Sequence, residues 1–198
     1  DIRASLGISD SDVVFLFLGR LTRDKGLLDL ARAFSKVHSR YNNVNLVVVG
    51  PDEEDMRERI LEICGVYSDR IYFEDYTNIP ESYMAAADVF CLPSYREGFG
   101  NVIIEAAATG IPSIGTRIYG ITDTIEDGVT GLLYEPRDAE ALADLMERLI
   151  KNADMRKEMG IKARTKALQD YSKEKVVSAM LDFYKIMIAE KNNECRYN

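Results

Sequence analysis

Short apolar runs and amphipathic stretches alternate along the chain as far as residue 134. Runs rich in β-branched and aromatic residues at 13–18, 45–49, 70–73, 88–92, 112–115 and 130–134 predict six strands. The segments between them, 26–38, 53–64, 80–87, 101–109 and about 122–126, carry helical spacing. Several strands are apolar on both faces, as in a parallel sheet covered by helices on each side. Strand–helix alternation at this spacing implies βαβ units with right-handed crossovers. The predicted fold class is α/β, a doubly wound, mostly parallel, Rossmann-like sheet.

Beyond residue 134 the pattern turns helical. The stretch 138–151 places Leu142, Leu145, Met146 and Leu149 on one stripe, with Asp138 set as an N-cap after Pro136. A second helix is expected at about 153–168. A third, about 172–190, carries Val176, Val177, Met180, Phe183, Tyr184, Met187 and Ile188, a broad apolar face for a terminal helix. That breadth predicts an exposed patch including some of Phe183, Tyr184, Met187 and Ile188, or self-association that hides it. Docking on the helices that cover the sheet is the alternative. The polar tail 191–198 is expected to fray. No repeat, low-complexity tract or long linker divides residues 1–198, which read as one domain.

Composition narrows the function classes. The chain has 198 residues, 46% of them hydrophobic and 29% charged, as in an ordinary soluble globular protein. Its 25 Lys+Arg against 33 Asp+Glu give a net charge of −8. That balance argues against a nucleic-acid partner, which selects a broad basic face. No apolar run approaches the ~20 residues of a membrane span. The chain opens without a signal peptide and without an initiator Met, as a piece of a longer protein would. Three cysteines, Cys64, Cys91 and Cys195, are too scattered for a disulfide framework and read as reduced thiols of a cytoplasmic protein. The single histidine, His38, excludes a multi-histidine zinc site, and its place late in a helical stretch reads as a surface or half-buried side chain rather than a catalytic one.

In open α/β sheets, ligands bind beyond the carboxyl ends of the strands. The loop after the first strand, Gly19-Arg20-Leu21-Thr22-Arg23-Asp24-Lys25-Gly26, packs three cations into six positions and leads into a helix. Arg20 can grip phosphate oxygens bidentately and Lys25 can add a point charge, although solvated loop charge accounts for the segment equally well. After the fourth strand comes Pro93-Ser94-Tyr95-Arg96-Glu97-Gly98-Phe99-Gly100-Asn101-Val102-Ile103-Ile104-Glu105. Gly98 and Gly100 would let backbone N–H groups approach a ligand at a helix N-terminus, where an anion is favoured. Glu97 and Glu105 can each accept two hydrogen bonds from a vicinal diol. An Asp-x-Asp at Asp10-Ser11-Asp12 precedes the first strand, at the far end of the sheet, and reads as turn and capping chemistry. The acidic run Asp52-Glu53-Glu54-Asp55 reads as the charged first turn of a helix.

The Glu97-(seven residues)-Glu105 pattern, following Ala87-Asp88-Val89-Phe90-Cys91-Leu92-Pro93-Ser94, resembles glycosyltransferase family 4, retaining nucleotide-sugar-dependent enzymes of the GT-B architecture. Gly19-Arg20-Leu21 with Lys25-Gly26 resembles that family's diphosphate loop. Val48-Val49-Gly50 resembles its second strand end, and Asp127-Gly128-Val129-Thr130-Gly131-Leu132-Leu133 a late hairpin-like signature. The resemblance runs almost end to end and implies the C-terminal, donor-binding half of the enzyme, with the N-terminal acceptor domain absent from this chain. It implies that Arg20 and Lys25 neutralise the donor diphosphate and that Glu97 contacts hydroxyls of the transferred sugar. It places Gly19, Gly98, Phe99, Gly100, Asn101 and Val102 around the donor and gives Glu105 the ribose diol. Phe73-Glu74-Asp75-Tyr76 would border the base, with loop packing as the alternative for Tyr76.

The implied substrate is a nucleoside-diphosphate sugar, with no cofactor and no metal, because fixed cations and a helix dipole can hold the departing diphosphate. The implied acceptor is a glycan or lipid-linked molecule bound through the absent domain. That leaves room for peripheral association of the full-length protein with the inner face of a membrane. Tyr119-Gly120-Ile121-Thr122-Asp123 departs from the family's Gly-Gly-x-Pro-Glu, so contacts to the sugar would differ there. A nucleotide-sugar epimerase, a phosphorylase-type GT-B domain and a non-catalytic doubly wound binding module are the competing readings.

Overall fold

The computed structural model describes residues 1–194, with side chains through Ile188. Six strands, β1 (Val13–Leu18), β2 (Val44–Val49), β3 (Ile71–Glu74), β4 (Val89–Leu92), β5 (Ser113–Thr116) and β6 (Gly131–Tyr134), form one sheet in the order β3-β2-β1-β4-β5-β6. All five pairings are parallel, so the sheet expected to be mostly parallel is wholly so. Phe15, Leu16 and Phe17 are fully buried, as β-strands covered on both faces require.

Eight helices occur among the described residues: α1 (Ile2–Leu6), α2 (Leu27–His38), α3 (Met56–Cys64), α4 (Pro80–Ala86), α5 (Asn101–Thr109), α6 (Ala139–Lys151), α7 (Ala153–Asp170) and α8 (Lys173–Glu194), the last packed against α7 rather than the sheet. α2 packs against α3 and α6 on one face, and α5 packs against α4 and α7 on the other. Leu27, Leu30, Ala31, Phe34 and Val37 form the buried stripe of α2. Each fully buried Leu or Phe contributes about 1.5–3 kcal/mol. Asp138 caps α6, its carboxylate accepting the Ala141 N–H at 2.8 Å, as the sequence predicts.

Three local expectations change. The helix expected at 122–126 is a series of turns closed by the Ile118 and Ile121 carbonyls. Residues 127–133 form no hairpin. Asp127 bridges to Gly131, and its carboxylate accepts the Leu133 N–H at 3.0 Å, capping the open side of the edge strand β6. The helix expected from residue 53 starts at Met56, because the Asp52 carboxylate accepts the Met56 and Arg57 N–H groups. Burial opposes the Asp52 charge, yet these backbone donors outweigh it and hold the carboxyl below its ordinary range.

The terminal helix runs from Lys173 to Glu194 rather than 172–190, so residues 191–194 are helical where fraying was expected; 195–198, Cys195 among them, lie outside the described residues. Phe183, Tyr184, Met187 and Ile188 are all exposed, which is the predicted patch. No helix among the described residues is long and apolar enough to cross a membrane.

Candidate functional site

The strand order reverses between β1 and β4. The chain winds outward from β1 through β2 to β3, then returns to lay β4 against β1, with Phe15 beside Val89 and Leu16 beside Phe90. Loops leaving neighbouring strands on opposite sides of such a switch point splay apart and open a crevice. A cleft of about 320 Å³ lies there, lined by Leu18, Gly19, Arg20, Lys25, Leu92, Glu97, Phe99, Asn101, Val102 and Glu105. Leu18 and Leu92, the last residues of β1 and β4, escaped the sequence reading. Their positions at two strand ends were the available signal, but adjacency of those strands becomes known only with the topology.

The two loops are locked together. Gly26 has φ +68°, and a Cβ there would collide with the Pro93 carbonyl oxygen, so the backbones touch only because the residue is glycine. Lys25, in the short 3-10 turn Arg23–Lys25, donates to Glu97 Oε2 at 2.7 Å, and both side chains are largely shielded, at 15% and 17% exposure. Arg20 pairs with Glu53 at 3.0 Å in the open, the two side chains 61% and 43% exposed. The acidic run at 52–55 is therefore more than a helix start: Glu53 and Glu54 face the cations Arg20 and Arg23. The expected electropositive end is neutralised by carboxylates. Glu105, in the second turn of α5, has no hydrogen-bond or ion-pair partner among the described residues.

The glycine-rich segment differs in detail from expectation. Phe99, Asn101 and Val102 line the cleft, whereas exposed Gly98 and buried Gly100 do not. The Gly100 N–H donates to the Gly120 carbonyl at 3.0 Å and the Asn101 N–H to the Phe99 carbonyl at 2.8 Å, so these two amides are engaged rather than offered to a ligand. Gly120, at φ +84°, brings its own loop against the Glu97 and Gly98 carbonyls, which a Cβ would approach to 2.8 and 2.7 Å. Tyr119 beside it is 80% exposed. The Phe99 ring meets Tyr171 edge-on, centroids 6.1 Å apart.

Residues Phe73 to Tyr76 do not line the cleft. Phe73 lies under the Arg57 guanidinium, 5.4 Å from its centroid, and Asp75 pairs with Arg57 at 2.5 Å. Tyr76 is 74% exposed, so loop packing does not account for it. Asp12, at the opposite end of the sheet, accepts from Asn45 at 3.0 Å and faces Arg70 at 3.6 Å, away from the cleft. His38 stacks on Phe34 and meets Tyr67 edge-on, also away from it. Burial pushes the Cys91 thiol far above the ordinary range and raises Cys64 to about 11, and both thiols lie buried away from the cleft.

The family model described as "Glycosyl transferases group 1" matches residues 1–166. The chain is 29% identical over 186 residues to the capsular polysaccharide biosynthesis glycosyltransferase CapM of Staphylococcus aureus, covering 93% of this chain and 49% of CapM. Among solved structures it is similar to sucrose-phosphate synthase of Thermosynechococcus elongatus, with TM-score 0.85, 30% identity, and coverage of 96% of this chain and 49% of that one. HepE of Anabaena, solved with UDP and glucose, shares the fold with TM-score 0.84 at 24% identity, over 95% of this chain and 51% of HepE. The chain thus spans about half the length of the relatives it matches.

Proposed function

This chain belongs to the group 1 glycosyl transferases, and on that premise we propose that it is the donor-binding half of a retaining GT-B enzyme that takes a nucleoside-diphosphate sugar. A second, acceptor-binding half would complete the enzyme and present a glycan or a lipid-linked acceptor, in the cytoplasm or at the inner face of a membrane. The observation that carries this reading is the meeting of two cations and two carboxylates in one cleft at the sheet's switch point. Cations there suit a diphosphate, and carboxylates facing them suit hydroxyl groups.

In the reaction, the bond between the anomeric carbon and the diphosphate oxygen breaks, its electron pair leaving with the diphosphate. The acceptor oxygen forms the new bond to that carbon and passes its proton to the departing diphosphate oxygen. Arg20 and Lys25 stabilise the negative charge on the departing diphosphate, helped by the N-terminal dipole of α5, so the proposal assigns no step to a metal. Glu97 accepts hydrogen bonds from the sugar and Glu105 from the ribose diol. The base extends beyond the cleft lining, toward the segment Phe73–Tyr76.

The Arg20–Glu53 and Lys25–Glu97 pairs give binding a definite set of exchanges. Diphosphate oxygens replace Glu53 on Arg20 and share Lys25 with Glu97, whose freed oxygen turns to the sugar. A thermal-shift panel of uridine, guanosine and adenosine diphosphates tests the reading. One of them, at 100 times its dissociation constant, should add about 2.7 kcal/mol of stability. No shift with any of the three would remove the donor-site assignment.

A further inference from the structure

Beneath the cleft, Tyr95 is fastened at three points. Its backbone N–H donates to the Asp24 carbonyl at 2.7 Å. Its phenol donates to Asp29 Oδ2 at 2.5 Å. The Arg137 guanidinium covers its ring, 5.1 Å from the centroid, with Arg137 itself at φ +69°. Asp29 is only 5% exposed, sits in the first turn of α2 and also accepts from Arg32 at 2.9 Å. None of Tyr95, Asp29 and Arg137 lines the cleft.

These contacts close a ring around the site. Asp24 immediately precedes Lys25, Tyr95 stands two residues before Glu97, and Lys25 and Glu97 are themselves joined at 2.7 Å. The loop after β4 is therefore tied through Tyr95 to the residue before Lys25 and to the first turn of α2 beyond it. A buried carboxylate costs free energy unless it is well hydrogen-bonded. Here its phenol donor comes from the opposite loop, so satisfying Asp29 demands one particular placement of that loop. Burial, with the Asp29 hydrogen bond and charge, pushes the Tyr95 phenol up to about 12, so it remains a donor across the accessible pH range.

We propose that Tyr95, anchored by Asp29 and covered by Arg137, is a positioning residue that sets the spacing between the cation of the first loop and the carboxylate of the fourth. The inference rests on the reading of the cleft as a donor site. Its effect is confined to the part of the ligand that spans the two loops: diphosphate and sugar, not the nucleoside.

The test measures dissociation constants by calorimetry for whichever of UDP, GDP and ADP the chain binds most tightly, and for its parent nucleoside, alongside thermal melts. Tyr95→Phe should weaken diphosphate binding about tenfold, the equivalent of ~1.4 kcal/mol. Nucleoside affinity should stay within about twofold, as expected for a contact the nucleoside does not use. Asp29→Ala should reproduce that split, the double variant should add little to it, and Asp29→Asn, which keeps an oxygen for the phenol, should restore most of the affinity. A lowered melting temperature with an unchanged nucleoside-to-diphosphate ratio would show that the contact only stabilises the fold and would overturn the proposal. If the unaltered chain binds none of the three nucleotides, the donor-site reading itself fails and the positioning role falls with it.

Discussion

The two ends of the sheet carry comparable charge and use it differently. At the amino ends, the Arg3 guanidinium donates to the Ala86, Ser9 and Asp12 carbonyls and to Asp88 Oδ2, at 2.7–3.1 Å. Asp88 in turn accepts the Val14 N–H at 2.8 Å. At the carboxyl ends, Arg20 and Lys25 hold only carboxylate side chains, and Glu105 holds nothing among the described residues. Charge bonded to main chain is committed to the fold, since removing it strands groups that cannot move away. Charge bonded to another side chain can exchange that partner for a ligand. Arg3 is thus committed to the fold, whereas the side-chain pairs of Arg20 and Lys25 can yield to the ligand of the proposed donor site.

Substitutions at the two ends should therefore separate stability from binding. The largest effect is expected for Arg3→Ala, which should lower the unfolding free energy by about 2–4 kcal/mol in denaturant titrations and leave nucleotide affinity unchanged. A loss of affinity at wild-type stability would break the comparison. Glu105→Ala should do the reverse, weakening nucleotide binding by about 1.5–3 kcal/mol in calorimetry with an unchanged melting temperature. Glu53→Gln sharpens the contrast, because it frees Arg20 from an exposed competitor. Diphosphate affinity should rise, by no more than about 1 kcal/mol for so open a pair; a decrease would mean that Glu53 itself assists binding.

The smallest effect concerns His38, whose pKa is held below 6.5 by burial and by Arg70, against weaker opposition from Asp69 and the Tyr41 backbone. The folded chain thus resists a proton that the unfolded chain accepts. Stability from this group is complete above 6.5 and declines as pH falls through 6.5 toward the lower folded value. Melts between pH 7 and 5 should show that decline, and His38→Gln should flatten it.

Local pattern revealed the strands well because their apolar runs report burial on both faces directly. It failed at 122–126, where Ile121 and Ile125 are spaced like a helix but are buried by turns that fold back on the Gly100 loop. The site's residue types were legible from Arg20, Lys25, Glu97 and Glu105. Their partners were not. Lys25 and Glu97 are 72 residues apart, Arg20 and Glu53 are 33 apart, and Tyr95 and Asp29 are 66 apart. Such pairings depend on which strands become neighbours, and no periodicity encodes that. Asp29 in particular, a carboxylate in the first turn of α2, is buried, and its Tyr95 partner comes from another loop.

The central claim is that shielded Lys25, beside Glu97, takes up the diphosphate of a nucleotide donor. Calorimetric titration of the unaltered chain and of Lys25→Ala with a nucleoside diphosphate and with its nucleoside tests it most directly. Diphosphate binding should weaken by at least about tenfold, the scale of a lost charge-assisted hydrogen bond, while the nucleoside binds both proteins alike. Equal losses for the two ligands would contradict the claim.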